Sequence, residues 1–372
     1  MIPELNFSDK KNNMQKKAKI GIGVIGCGDI SGQYIRNMQA MDGLNVRFVA
    51  DIDQAKARAA AETYGLRAVD LEAILADPEI QIIVNITNPD SHFDISLQVI
   101  EAKKAIYSEK PLATSLESVR FLLDLAEKKG VLVGSAPDNF LGPSLQTVRK
   151  LISDGKIGEI EGAAAFIATY RPESFHPNPQ YLFEKGGGPL FDLAPYCLAS
   201  LTVLLGQTTR VTGSVNALIT KRIIQSGRLE GTLIKPDVPT HVNAVLDYKS
   251  GAMASMGVSF DMWASGQPLL EIFGSEGTIS LPGPHKFSSP VRVRCAGDKE
   301  WSEIPLQKIE PAGRGLGVLD LANAIQKGTQ PIASGALAYH LLEIMQAIQT
   351  SSESEKHVAV HSKNPLLNTT LK

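Results

Sequence analysis

The sequence predicts an α/β protein of two domains, in which a doubly wound parallel sheet precedes an α/β domain with a large open, mainly antiparallel sheet. The length of 372 residues and the hydrophobic content of 43% are enough for two cores. From Lys19 to about Ser135, short apolar runs alternate with amphipathic stretches, which is typical of a parallel sheet with helices on both faces. Beyond about residue 155 the apolar runs lengthen, which favours antiparallel hairpins.

The elements of the first domain follow from the spacing of their apolar residues. Short runs rich in β-branched residues predict strands at 20–26, 46–50, 82–87, 104–108 and 131–135. The amphipathic stretches between them predict helices at roughly 31–41, 54–64, 91–103 and 115–129. We therefore assign residues 19–140 to a first domain and expect the boundary within 136–155.

The second domain, residues 141–372, is predicted to begin with a helix near 141–154 and to continue as a sheet. Long β-like runs cover 161–170, 210–220, 240–248, 252–263 and 269–281. Gly274-Ser275-Glu276-Gly277 predicts a hairpin turn. Two closing helices are predicted at about 316–327 and 335–351, and they could pack back on the first domain.

Composition excludes several classes of function. The net charge is −2 and no basic block is present, so nucleic acid is not expected as a partner. The cysteines Cys27, Cys197 and Cys295 lie far apart and are odd in number, which argues against a disulfide framework and favours a reducing compartment such as the cytoplasm. No stretch approaches the roughly 20 apolar residues of a membrane span. The polar, lysine-rich residues 1–18 are interpreted as a disordered leader.

A glycine-rich turn joins the first predicted strand to the first predicted helix. It has the pattern G-x-G-x-x-S at 26–31, one step from the G-x-G-x-x-G/A of dinucleotide-binding folds. The first glycine permits a tight turn, the second lets the backbone approach a pyrophosphate, and the small serine allows close helix–strand packing. The pyrophosphate would lie at the helix N-terminus. The sequence therefore predicts a Rossmann domain with cofactor contacts at Gly26, Gly28, Asp29 and Ile30.

An acidic residue ends the second predicted strand. Asp51 lies 23 residues after Gly28, close to the spacing of a ribose-binding carboxylate. Such a carboxylate accepts hydrogen bonds from both ribose hydroxyls and would repel a 2′-phosphate, so the expected cofactor is NAD rather than NADP. Alternatively, Asp51 caps the helix in 51–60, where Asp53 is an equally plausible cap.

A lysine follows the strand predicted at 104–108. The carboxyl ends of strands line the ligand crevice of open α/β sheets, so Lys110 can face the nicotinamide side of a pocket. Pro111 keeps Lys110 out of helical geometry. Without further information, a lone lysine in a loop is also compatible with simple solvation.

A second candidate segment follows the glycine run at 186–188. Pro195 is tolerated only in a first helical turn, so a helix is predicted over 193–205 with Asp192 at its N-cap. Tyr196 would then lie on roughly the same face as Asp192. These two residues alone fit a capping aspartate and a core tyrosine as well as a site.

The chain from about residue 19 resembles the Gfo/Idh/MocA family, the glucose–fructose oxidoreductase and inositol dehydrogenase group. The residues that carry the resemblance are Gly26-Cys27-Gly28, Asp51, Thr87-Asn88-Pro89 with His92, Glu109-Lys110-Pro111, Lys156-Ile157-Gly158-Glu159-Ile160, and Gly186-Gly187-Gly188 with Asp192. The Glu-Lys-Pro tripeptide, in this order and place, is the specific element.

The resemblance implies a nicotinamide cofactor, NAD, and a hydride transfer to or from a hydroxyl of a sugar, sugar derivative or cyclitol. It implies that Lys110 polarises or helps deprotonate that hydroxyl and that Asp192 binds or orients the substrate. Further cofactor contacts are expected at Thr87, Asn88 and Glu109, with His92 shaping the pocket. A homodimer or homotetramer is also expected, because an open sheet with apolar strands such as 252–260 would be prone to aggregation if left bare.

The identity of the catalytic base stays open. Many members of the family have histidine where this chain has Tyr196, and a free phenol has a pKa of about 10 against about 6.5 for imidazole. An adjacent ammonium such as Lys110 would favour the phenolate, and relatives such as dihydrodiol dehydrogenase carry tyrosine in this role. His176, in a proline-flanked loop, is the rival. We favour Tyr196 as the base and expect His176, Arg171 and Asn178 to bind substrate.

Three functions are compatible with these features: a dehydrogenase or reductase, an NAD-dependent glycosidase that oxidises, eliminates and re-reduces, and a non-catalytic sugar sensor. Lys110 with Asp192 argues against the sensor, and net NADH production would separate the first two. Oxidation at the C3 hydroxyl of a glycoside is a further hypothesis, from the likeness of the loop at 175–179 to a subgroup acting on glycosides. No metal is expected, because the spacing of the other histidines, including His357 and His361, suggests no metal site.

Overall fold

The computed structural model describes residues 18–176, 178–263, 265, 270–283 and 285–368. The chain forms two compact units. Among the described residues, the first comprises 18–143 and Lys308–Tyr339, and the second comprises Ser144–Gln307 and 340–368. Residues 1–17 lie outside the described part, so the leader at 1–18 stays a prediction.

The first unit is built on a six-stranded parallel sheet in the order β3-β2-β1-β4-β5-β6. The strands are β1 (Ile20–Ile25), β2 (Leu44–Ala50), β3 (Arg67–Ala68), β4 (Ile82–Asn85), β5 (Ala105–Ser108) and β6 (Val133–Ser135). The helices between them are α1 (Ser31–Ala40), α2 (Gln54–Tyr64), α3 (Leu71–Ala76), α4 (Pro89–Glu101) and α5 (Leu116–Lys129). The predicted doubly wound parallel sheet is confirmed, while β3 and α3 are too short to leave a periodic signal.

The central strand β1 shows why its sequence alternates glycine with β-branched residues. All six of its residues are buried. A Cβ added at Gly21 would lie 1.9 Å from the Glu79 carbonyl oxygen, and one at Gly23 would lie 2.4 Å from the side chain of Ile74. The two glycines lie two residues apart, on the same face of the sheet, and let neighbouring chain approach that face closely.

The second unit is built on a nine-stranded sheet in the order β16-β15-β14-β13-β7-β12-β11-β8-β17. Its strands are β7 (Ile160–Ala168), β8 (Thr208–Asn216), β11 (His241–Tyr248), β12 (Met253–Ser259), β13 (Leu270–Gly274), β14 (Gly277–Leu281), β15 (Val291–Cys295), β16 (Ser302–Ile304) and β17 (Val358–Ala359), while β9 (Arg222–Ile223) and β10 (Leu233–Ile234) form a separate pair. The β7–β12 pair is parallel and the other pairs are antiparallel, which confirms the predicted mainly antiparallel sheet. The hairpin turn predicted at Gly274–Gly277 joins β13 to β14.

The helix predicted at 193–205 is present, but it begins at Ala194 and a separate short helix ends at Asp192, so the placement of Asp192 at its N-cap is wrong. The helices are α6 (Pro143–Ser153), α7 (Gly188–Asp192), α8 (Ala194–Leu205), α9 (Leu316–Lys327) and α10 (Gly335–Ser354). Asp192 ends α7, and Leu193 is the N-cap of α8. Pro189 and Pro195 each occupy a first helical turn, and the missing N–H of Pro195 interrupts the hydrogen-bond ladder between them.

The helix α9 belongs to the first unit although it follows the second in sequence. A Cβ added at Gly317 would lie 2.4 Å from the hydroxyl of Tyr107 in β5, so glycine is needed for this close approach. Ser334, just before α10, forms an isolated bridge with Gly134 in β6.

Within the described residues, none of the helices combines the length and the apolar character that a membrane span requires.

Candidate active site

The loop between β1 and α1 has the geometry of a pyrophosphate cradle. Gly26 has φ of +100°, and a Cβ there would lie 2.7 Å from the Ile86 carbonyl oxygen. A Cβ at Gly28 would meet nothing within 4 Å, which leaves open space above the loop. The N-cap of α1 is Ile30, whose apolar side chain cannot cap the first helical N–H groups. These N–H groups and the helix dipole suit an anion placed above Gly28.

The carboxylate of Asp51 is fixed directly beside this loop. Its Oδ2 accepts the backbone N–H of Cys27 at 2.7 Å, and its Oδ1 accepts that of Asp53 at 2.8 Å. Asp53 is the N-cap of α2 and accepts the Ala55 N–H at 3.0 Å, so Asp51 is not the cap. Burial and the charge of Asp51 raise the pKa of the Cys27 thiol to about 11, so this thiol is neutral at physiological pH.

A buried histidine joins the loops that follow β4 and β5. His92 is 0% exposed, with Nδ1 lying 2.7 Å from the Pro111 carbonyl oxygen and Nε2 lying 3.0 Å from that of Thr87. Burial lowers the pKa of His92 below its ordinary value, although both carbonyls act in the opposite direction. A neutral imidazole has one N–H and donates to one carbonyl at a time. His92 therefore ties the loop of Thr87 to the loop that carries Lys110.

The carboxylate of Glu109, which lies between β5 and Lys110 in the sequence, is buried in a hydrogen-bond network. Its Oε1 accepts the Tyr34 hydroxyl at 2.9 Å and contacts the Arg314 guanidinium, and its Oε2 accepts the Lys110 N–H at 2.9 Å. Burial alone would raise the pKa of Glu109, but Arg314, Lys110 and these hydrogen bonds outweigh it and hold the pKa below its ordinary value. Glu109 is therefore ionised, and Lys110 follows it at the carboxyl end of β5.

Asp138 extends this network and was missed by the sequence analysis. It is 2% exposed and accepts the N–H of Gly317 at 2.9 Å and that of Gly315 at 3.2 Å. Burial raises the pKa of Asp138 to about 6. The sequence offered a signal only for the segment that Asp138 contacts, Gly313-Arg314-Gly315, where a charged residue stands between two glycines.

In the second unit, the candidates Asp192 and Tyr196 occupy consecutive helices. Asp192 is half-buried at the end of α7, and Tyr196 is 9% exposed in the first turn of α8. The ring of Tyr196 makes an edge-to-face contact with His285 at 6.4 Å between centroids, a neighbour that the sequence analysis did not single out.

The glycine run ahead of α7 has a structural reason of its own. A Cβ at Gly187 would lie 2.4 Å from the Tyr181 carbonyl oxygen. Gly188 has φ of +76°, and a Cβ there would lie 2.8 Å from the Pro239 carbonyl oxygen. Larger residues would push Asp192 and its helix away from both neighbouring segments.

The imidazole of His176 is engaged on both of its nitrogens. Its Nδ1 accepts the N–H of Asn178 at 3.1 Å, and its Nε2 lies 3.5 Å from the Tyr181 hydroxyl. A neutral ring whose Nδ1 accepts a hydrogen bond carries its proton on Nε2. The lone pair needed by a general base is therefore already used by the backbone.

Arg171 supplies a polar group at the start of the same loop. Its φ is +44°, its N–H donates to the Phe260 carbonyl oxygen at 3.0 Å, and its guanidinium lies 5.3 Å from the Tyr170 ring centroid. The buried Nε of Arg171 has no hydrogen-bond partner among the residues that the structure describes. An unsatisfied buried donor is costly, so this N–H is suited to a ligand hydroxyl.

No group of three or more His, Cys, Asp or Glu residues in the described chain is arranged to hold a metal ion.

Comparison with known proteins places these features in a family. A sequence profile described as an oxidoreductase family with an NAD-binding Rossmann fold matches residues 20–136, and the Gfo/Idh/MocA C-terminal domain profile matches residues 145–280. The chain belongs to the Gfo/Idh/MocA oxidoreductase family. This membership confirms the resemblance and the prediction of an NAD-binding oxidoreductase.

Relatives and solved structures agree with this assignment. Inositol 2-dehydrogenase of Rhizobium meliloti is 25% identical over 348 residues, which is 92% of this chain and 99% of that protein. Levoglucosan dehydrogenase of Pseudarthrobacter phenanthrenivorans is 27% identical over 352 residues, 84% of this chain and 89% of that protein. A structure of levoglucosan dehydrogenase with NADH and L-sorbose superimposes with a TM-score of 0.80 at 23% identity, covering 92% and 99% of the two chains.

Proposed function

We propose that this protein is a dehydrogenase or reductase that transfers a hydride between NAD and a secondary hydroxyl of a sugar, glycoside or cyclitol. The observation that carries the proposal is the Glu109-Lys110-Pro111 turn at the carboxyl end of β5. There, Tyr34 and Arg314 hold Glu109 ionised and its carboxylate fixes the backbone of Lys110. A lysine placed at this edge of a nucleotide-binding sheet is suited to chemistry on a ligand.

The first unit fits the cofactor at several points. The pyrophosphate would lie over Gly28 and the backbone of Asp29 and Ile30, with Gly26 making the turn. Asp51 would hold the adenosine ribose, while Thr87, Asn88, His92 and Glu109 would line the nicotinamide end. When bound, the nicotinamide accepts or returns the hydride of the reacting carbon.

The chemistry of this chain's own residues is acid–base and electrostatic. We assign Lys110 to stabilising the oxygen of the reacting hydroxyl as it loses its proton. We assign to Tyr196 the role of the base that accepts this proton, because the Nδ1 of His176 already accepts the Asn178 N–H. Asp192 would accept hydrogen bonds from substrate hydroxyls and orient them.

The substrate class is proposed from the polar groups of the loop and from the names of relatives. Arg171, His176 and Asn178 offer donors and acceptors suited to hydroxyls, and the unpartnered Nε of Arg171 lacks only an acceptor. The relatives named above are an inositol dehydrogenase and a levoglucosan dehydrogenase. Within this class, we propose the C3 hydroxyl of a glycoside as the reacting group.

A panel of sugars, glycosides and inositols tests the proposal. Purified protein is incubated with NAD and each compound, NADH is followed by its absorbance, and the oxidised position is identified by NMR. We expect net NADH formation with at least one member and a 3-keto product from a glycoside. Cleavage of a glycoside without net NADH would point to an oxidation–elimination glycosidase. Binding without any turnover would point to a sugar sensor.

We further propose that the protein works in the cytoplasm as a homodimer or homotetramer. The cysteines Cys27, Cys197 and Cys295 are free, which suits a reducing compartment. Val245, Met253 and Phe273 expose 45%, 59% and 36% of their surface on one face of the large sheet, which we call the open face. Covering this face with a second copy would remove its apolar surface from water.

A further inference from the structure

A buried arginine in the second unit is engaged by two carboxylates from separate segments. The Arg222 side chain is 0% exposed and opens strand β9. Its Nη1 donates to both oxygens of Glu173 at 3.0 and 3.2 Å, and its Nη2 pairs with Asp261. Its guanidinium also lies 4.9 Å from the ring centroid of Phe183. The side chains of Glu173 and Asp261 are 2% and 11% exposed, so all three charges are withdrawn from water.

The first carboxylate belongs to the loop that carries the proposed substrate-binding residues. Glu173 lies between Arg171 and His176. Its carbonyl oxygen accepts the Gln225 N–H at 3.0 Å, so the segment that follows Arg222 holds both the side chain and the backbone of this loop.

The second carboxylate follows strand β12. Asp261 accepts the Thr240 hydroxyl at 2.8 Å, and its own N–H donates to the Ser259 hydroxyl at 2.9 Å. One residue earlier, the Phe260 carbonyl oxygen accepts the Arg171 N–H at 3.0 Å. Arg222 therefore joins the chain after β12 to the loop after β7 at the point where Arg171 lies.

The energetics of such a cluster argue for geometry more than for stability. Desolvating three charges offsets most of their attraction, and well-packed apolar residues often stabilise a core equally well. The forked guanidinium, in contrast, fixes the direction of each carboxylate that it binds. A cluster of this kind is expected to hold two segments in one arrangement.

We propose that Arg222 is a positioning residue, which through Glu173 and Asp261 holds the loop of Arg171 and His176 in its substrate-binding arrangement. The inference rests on the proposed function, since it concerns the binding of the sugar or cyclitol. Arg222 does not itself touch substrate and acts through the backbone of the 171–176 segment.

The first test is a split between binding and turnover. Arg222→Met should raise KM for the sugar about tenfold or more, because a displaced loop loses ground-state binding. The kcat and the Kd for NAD of Arg222→Met should stay within about threefold of the wild-type values. Arg222→Lys keeps the charge but loses the forked guanidinium, so its KM should lie between those of wild type and Arg222→Met. Arg210→Met is the matched control, because Arg210 also pairs with a carboxylate of the second unit, Asp247, but is 52% exposed. An unchanged KM in Arg222→Met would contradict the proposal.

The second test separates positioning from general stability. The triple variant Glu173→Gln, Arg222→Met, Asp261→Asn removes all three charges and leaves no buried ion unpaired. We expect it to regain the thermal stability lost in Arg222→Met while its KM stays high. Recovery of KM together with Tm would show that the cluster is merely structural.

A third measurement needs no substrate. The rings of Tyr170 and Trp263 stack at 3.6 Å between centroids and lie on the two segments that Arg222 joins. Near-ultraviolet circular dichroism of this pair, assigned with Trp263→Phe, should weaken in Arg222→Met and stay intact in Arg210→Met. An unchanged signal in Arg222→Met would overturn the inference, and this result does not depend on whether the wild-type protein oxidises a sugar. Absence of turnover alone would overturn only the proposed function.

Discussion

The carboxylate of Asp51 ties the nucleotide loop to the end of β2 through the N–H groups of Cys27 and Asp53. We expect the protein to bind NAD more tightly than NADP, because this charge would repel a 2′-phosphate. Asp51→Ala should reduce the difference in affinity between NAD and NADP. It should also weaken NAD binding, since the loop loses both hydrogen bonds. Calorimetry of both cofactors checks this.

The control for that experiment is Asp53→Ala. Asp53 caps α2, so its loss should cost about 1 kcal/mol of stability and leave cofactor preference intact. Tighter binding of NADP than of NAD by the wild-type protein would contradict the role of Asp51.

Lys110 is expected to matter for turnover more than for cofactor affinity. An ammonium that stabilises the oxygen losing its proton acts in the transition state, so Lys110→Ala should lower kcat by about 100-fold or more. The Kd for NAD should change little, and Lys128→Ala, an exposed lysine of α5, is the control. Near-normal turnover of Lys110→Ala would refute the catalytic assignment and favour the sensor.

Tyr196 and His176 can be told apart by the parameter that each changes. If Tyr196 takes the proton, Tyr196→Phe should lower kcat by about 100-fold or more, whereas His176→Ala should mainly raise KM. The bond from the Asn178 N–H to the Nδ1 of His176 is the physical reason for this expectation. The opposite pattern in steady-state kinetics would transfer the base role to His176.

At the scale of elements, a buried carboxylate links α9 to the segment that precedes α10. Asp320 accepts the N–H groups of Ile332 at 2.6 Å and Ala333 at 2.9 Å, and burial raises its pKa to about 7. The unfolded chain has an aspartate pKa of about 3.9, so the stability that protonated Asp320 contributes is complete below about pH 4. It is lost as the pH rises through about 7.

Asp320→Asn keeps an accepting oxygen and cannot ionise. Its unfolding free energy relative to wild type should therefore rise by roughly 2 kcal/mol between about pH 5 and about pH 8. Urea unfolding at the two pH values measures this, with Asp124→Asn on the exposed face of α5 as control. The same pH dependence in wild type and Asp320→Asn would show that Asp320 does not titrate in this range.

At the scale of the whole molecule, the open face of the large sheet is expected to be covered by another copy of the chain. Light scattering at micromolar concentration should give the mass of a dimer or tetramer. Val245→Glu should shift the mass toward the monomer, because the new charge would be buried without a partner. Leu218→Glu is the control, since Leu218 is 71% exposed but lies outside the sheet. A monomeric wild-type protein would contradict this expectation.

The sequence by itself determined the fold class and the order of most elements. Apolar periodicity and turn residues are local signals, so the strands of the parallel sheet and the hairpin at Gly274–Gly277 were predicted within a few residues. The glycine turn at 26–28, Asp51 and Lys110 could be placed at strand ends for the same reason, whereas the role of the Glu109-Lys110-Pro111 tripeptide came from the family resemblance.

Only the tertiary structure decided which charges meet. Arg314 reaches Glu109 across 205 residues, and Arg222 reaches Glu173 across 49. No local pattern marks such pairs, because a buried charge is made tolerable by packing that brings distant segments together.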